Sequence, residues 1–97
     1  MANKYKIAQL QEQGQDIIII PIRDMFEKLN TREQSSQQEK LQQVADEANI
    51  KGTVCLVWER GNRLNYLAPK NWHSFFKSIN MSFVNLNLNS ELTTYSS

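Results

Sequence analysis

The chain has 97 residues, 40% of them hydrophobic and 22% charged, the composition of one ordinary folded domain spanning 1–97. Eleven Lys and Arg against ten Asp and Glu leave a charge of +1, without the basic excess of a duplex-DNA binder. A lone cysteine, Cys55, excludes an internal disulfide framework and any multi-cysteine metal site.

Residues 1–15 read as an N-terminal arm or an added edge strand, with weak alternation over Tyr5–Leu10 and a turn at Gly14. Asp16–Ile22 is the clearest strand, because Ile17–Ile20 is β-branched and apolar on both sides, as a central strand is. Pro21 has no amide donor, so ladder pairing weakens there. This apolar run is far short of the ~20 residues that cross a bilayer. Asp24–Asn30 reads as a short helical piece, with Met25, Phe26 and Leu29 on its apolar side.

Two capping patterns then compete, Thr31 with Gln34 and Ser36 with Glu39. The stripe Leu41, Val44, Ala45 and Ala48 predicts a helix over about 35–49, closed near Gly52. Thr53–Glu59 and Arg63–Ala68 form a hairpin around Arg60-Gly61-Asn62, and Pro69 ends it. Asn71 caps a second helix with the stripe Trp72, Phe75, Phe76 and Ile79. The next segment allows two readings. Val84–Asn89 alternates as a half-buried strand does, placing a strand at 82–88, while Phe83 and Leu86 also continue a helix. Residues 90–97 are polar and read as a frayed tail.

The expected fold is therefore α+β. It is a two-layer sandwich, an antiparallel sheet with two helices on one face, in the ferredoxin-like βαββαβ order. The alternative is ββαββα with a longer C-terminal helix.

No phosphate-loop, dinucleotide, zinc-protease or nucleophile-elbow motif occurs, so no catalytic residue, metal ligand or cofactor is assigned. The only nucleophile pair on offer is Cys55 with His73, and Cys55 sits mid-strand, where a free thiol acts as a small hydrophobe. Lys70, Asn71, Trp72 and His73, around a helix start, form an anion-binding candidate. Arg23, Arg60 and Arg63 form a second candidate patch at the opposite end of the sheet. Trp58, Arg60, Arg63 and Tyr66 are the residues available for single-stranded nucleic acid, although the net charge disfavours it. Phe83, Val84, Asn85, Leu86, Asn87 and Leu88 read as an unguarded interaction edge.

The reading that follows is a small non-catalytic protein-interaction module, binding itself or another chain, with a homodimer as the simplest form. Single-stranded nucleic-acid binding and a small enzyme or anion-binding domain are the alternatives. Met1–Lys6 leads into no long apolar segment, so no secretory signal and no membrane partner is expected, and the chain reads as cytoplasmic.

Overall fold

Successive side chains of a strand point to opposite faces, so four buried isoleucines in a row need cover on both sides. Ile17, Ile18, Ile19 and Ile20 are all fully buried. In the computed structural model, which describes residues 2–23 and 28–95, helices supply that cover from both faces of one sheet. Each buried isoleucine contributes about 1.5–3 kcal/mol of burial free energy.

The elements run β1 (Ala2–Glu12), β2 (Gln15–Pro21), α1 (Thr31–Glu47), β3 (Thr53–Arg60), β4 (Arg63–Leu67), a 3₁₀ turn (Lys70–Trp72), α2 (His73–Lys77), α3 (Met81–Leu86) and β5 (Ser90–Tyr95). The five-stranded sheet has the order β4-β3-β2-β1-β5. β2 and β3 are parallel, joined through α1, and the other neighbours are antiparallel. On one face Leu41 and Ala45 of α1 meet Ile18, Ile20, Val54, Leu56 and Leu92. On the other, Trp72, Phe76 and Val84 meet Ala8, Ile17, Ile19, Cys55 and Val57.

This arrangement corrects the expected fold. The sheet is mixed rather than antiparallel, and the helices occupy both faces rather than one, so the two-layer ferredoxin-like sandwich is not formed. Neither βαββαβ nor ββαββα describes the chain, which runs ββαββααβ. The N-terminal segment is neither an arm nor an edge. β1 lies between β2 and β5, pairing Ala8–Glu12 with β2 and Ala2–Ile7 with β5. Residues 90–95 of the expected frayed tail form β5, held by Leu92, which is 1% exposed beneath α1; residues 96 and 97 lie outside the described residues.

The strand expected at 82–88 is mostly helix. Asn80 accepts from Phe83 N–H at 2.9 Å as a helix cap, and Asn87 Nδ2 donates to Phe83 C=O at 2.7 Å. These amides satisfy local backbone, so the apparent alternation belongs to one and a half helical turns. Val84 is buried and Leu86 is 86% exposed, opposite to what a strand with both facing inward requires.

α1 starts earlier than its apolar stripe indicates. Asn30, not Thr31 or Ser36, caps it, in a reciprocal box with Glu33. The helix expected from Asn71 through Ile79 is shorter, a 3₁₀ turn and five residues of α2. The helical piece expected at Asp24–Asn30 falls largely on residues 24–27, outside the described residues.

Only Gly52 suits the approach to β2. Its φ is +133°, and a Cβ there would lie 3.1 Å from Asp16 backbone carbon and oxygen and from Ile18 Cγ1.

Candidate functional site

Strand parity sorts the polar residues of the sheet. Ala8, Ile17 and Ile19 belong to the face covered by α2 and α3, so Lys4 and Lys6 on β1, and Pro21 at the end of β2, point toward that same face, with Arg23 two residues further on. The helical cover reaches Ala8 through Val84 and leaves Lys4, Lys6 and Arg23 exposed.

Between the start of β1 and the end of β2 the sheet opens. Their pairing spans Ala8↔Ile19 to Glu12↔Gln15, while Ala2–Ile7 lean on β5 and Ile22 N–H donates to Val57 C=O at 2.8 Å. Pro21 has no N–H to carry the β1–β2 ladder further. The result is a cleft of about 820 Å³ at the carboxyl end of β2. Its charged lining is Lys4, Lys6 and Arg23, and its apolar lining includes Tyr5, Ile22, Leu29 and Leu88. Sequence reasoning passed over Lys4 and Lys6. The signal was their spacing of two, which puts both on one face of any strand.

The arginine patch divides. Arg60 and Arg63 are direct register partners across the hairpin and line a shallow depression with Gly61 and Asn65. Arg23 lines the separate cleft. The Lys70–His73 group also separates. Trp72 is 2% exposed and turned into the core, while Lys70 and Asn71 are exposed. His73 Nε2 lies 3.0 Å from Ala68 C=O, and its ring meets Tyr66 edge-on at 5.2 Å. The histidine ties α2 to the end of β4.

Trp58 and Tyr66 do not form a stacking platform. Trp58 lies under α1, whereas Tyr66 stacks on Phe76 at 5.3 Å on the opposite face. Cys55 is fully buried, its Sγ–H donating to Thr53 C=O at 3.6 Å, and burial pushes its thiol up to about 12. A neutral, enclosed thiol is a poor nucleophile. Among the described residues no three His, Cys, Asp or Glu side chains gather into a metal site.

The interaction edge expected over Phe83–Leu88 is not an edge, since Phe83–Leu86 are helical. The outer strands are β4 and β5. β5 has one charged residue, Glu91, and no Lys or Pro.

Compared with known proteins, the chain matches no family, no curated protein and no solved structure. Among the described residues no helix is long and apolar enough to cross a membrane.

Proposed function

We propose that this protein acts by binding another protein chain along the outer side of β5, with a second copy of itself as the simplest occupant. The observation that carries this reading is the character of β5: six residues, Ser90–Tyr95, outermost in the sheet and without the Lys, Pro or inward charge that guards the edges of isolated monomers.

The treatment of other open backbone supports it. Where β3 extends past β4, the amides of Gln38 and Gln42 cover Val54. Where β1 extends past β5, Asn89 covers Gln9. At these two places, then, side chains close exposed ladder groups.

Symmetry permits the pairing. Two copies of β5 paired antiparallel about an axis normal to the sheet keep the same faces together, so residues of like parity oppose each other. An axis through Leu92 or Thr93 sets Glu91 opposite Thr93 or Tyr95, and no like charges meet. A cytoplasmic setting, where Cys55 stays reduced, suits such a module.

Sedimentation equilibrium across micromolar concentrations tests the reading. A dimer that Thr93→Glu dissociates, by setting like charges opposite each other in either register, is the expected result, and the monomer keeps its melting temperature because residue 93 faces Lys4 across the β1–β5 ladder. A strict monomer at every concentration rejects the second copy as occupant. A dimer indifferent to Thr93→Glu rejects β5 as its seat.

A further inference from the structure

We propose that the cleft between the start of β1 and the end of β2 is a binding site for a phosphate monoester carrying a flat, partly apolar body. This inference is independent of the β5 edge and rests on position, charge and shape.

Position comes first. β2 and β3 are parallel and linked by α1, while β1 runs antiparallel on the other side of β2. Next to the carboxyl end of a parallel strand the neighbouring chains diverge, and open α/β sheets hold their ligands in such crevices. Here the divergence is visible, since β1 turns its first half to β5 and the chain beyond Pro21 bonds to β3.

Charge comes second. Lys4, Lys6 and Arg23 line the cleft, and no carboxylate among the described residues lines it with them. Glu91 is the register partner of Lys6 across the β1–β5 ladder, yet it lies outside the lining. Three of the eleven Lys and Arg residues of a protein with net charge +1 share this one opening, which makes it locally cationic. An arginine fork and two point-charge ammonium groups match the three free oxygens of a monoester phosphate.

Shape comes third. At about 820 Å³ the cleft exceeds what a bare anion fills and suits a small organic molecule. Leu88, packed with the α2–α3 core, supplies apolar surface on the cations' face, and Tyr5, Ile22 and Leu29 line the cleft from the α1 side. A ligand with a phosphate at one end and a ring at the other uses both. The phosphate belongs either to a free nucleotide or to the 5′ end of a single strand.

Titration of the whole protein by calorimetry and backbone amide shifts, at low salt, uses three probes: inorganic phosphate, AMP, and a 5′-phosphorylated oligothymidylate. AMP is expected to bind about tenfold or more tighter than inorganic phosphate, with shifts confined to residues around Lys4–Lys6 and Ile22–Arg23. Lys4→Gln, Lys6→Gln and Arg23→Gln should each weaken it about tenfold, whereas Arg63→Gln, in the other depression, leaves it unchanged. An oligonucleotide that outbinds AMP through the same three residues identifies a strand end as the source. No shift with any probe overturns the proposal. So does an Arg63→Gln loss equal to the others, which reports a diffuse field rather than a site.

Discussion

The carboxamide of Asn89 pairs with both backbone polar groups of Gln9. Gln9 N–H donates to Oδ1 at 2.9 Å, and Nδ2 donates to Gln9 C=O at 2.9 Å. β5 pairs with β1 only as far as Ile7↔Ser90, and Asn89 N–H donates to Ile7 C=O at 2.9 Å. The side chain thus stands where the next peptide group of a longer strand would stand, and it ends β5 without leaving Gln9 unbonded.

Asn89→Ala removes both bonds from an exposed site, where water replaces part of the loss. A cost of about 1 kcal/mol is expected from urea midpoints at unchanged slope. Asn89→Asp keeps the acceptor for Gln9 N–H but sets an oxygen against Gln9 C=O, so it does not restore the parent's stability.

β5 is integral to the sheet. Leu92 is 1% exposed and Thr94 is 5% exposed, both on the face that α1 covers. Leu92→Ala should cost about 2–5 kcal/mol, a large share of what a small domain possesses. A thermal melt within a degree or two of the parent contradicts the placement of β5.

These two sites mark where the sequence is legible and where it is not. The isoleucine run, the Thr53–Leu67 hairpin and the Leu41–Ala45 stripe speak through apolar periodicity, and each forms the expected type of element. β5 was missed because, over Ser90–Thr94, only Leu92 and Thr94 are buried, on one face, too little alternation in a polar stretch. α3 was misread because Asn85, Asn87 and Asn89 mimic the polar half of a strand pattern, although Asn87 is a helix C-cap and Asn80 caps the other end. The three-layer form was implicit in Ile17–Ile20, since two buried faces demand two covers. The cleft was hidden because Lys4 and Lys6 on β1 meet Arg23, beyond the end of β2, only where the β1–β2 pairing stops at Ala8↔Ile19, and no local pattern encodes that stop.

The Cys55 thiol is pushed from its ordinary value of 9.0 up to about 12 by burial. In the folded state it therefore holds its proton where the unfolded chain has lost it. The stabilisation is fully present below about pH 9 and is lost as pH rises toward about 12. At neutral pH, labelling by a thiol reagent should proceed only through unfolded molecules, so adding urea below the midpoint should speed it in step with the unfolded fraction. Rapid labelling of the native protein contradicts the burial.

Gln38 and Gln42, one helical turn apart on α1, serve β3 as Asn89 serves β1. Val54 N–H donates to Gln42 Oε1 at 2.8 Å, Gln42 Nε2 donates to Gly52 C=O at 3.0 Å, and Gln38 Nε2 donates to Val54 C=O at 3.1 Å. β4 pairs with β3 only from Leu56 onward, so the two glutamines close the side of Val54 that no strand reaches. Gln42→Ala should cost about 1–3 kcal/mol, because a partly buried N–H and C=O lose their partners together. Gln42→Glu keeps the acceptor for Val54 N–H but opposes an oxygen to Gly52 C=O, so it should destabilise as well. The double variant Gln38→Ala/Gln42→Ala strips Val54 of both bonds, and the two losses should not add, since both amides serve one residue. Hydrogen exchange gives the specific readout. The Val54 amide should exchange markedly faster in Gln42→Ala and in the double variant, while the Ile19 amide, held within the sheet, slows or speeds only with global stability. Equal acceleration at both amides would mean that the glutamines merely stabilise the fold and do not close that edge of β3.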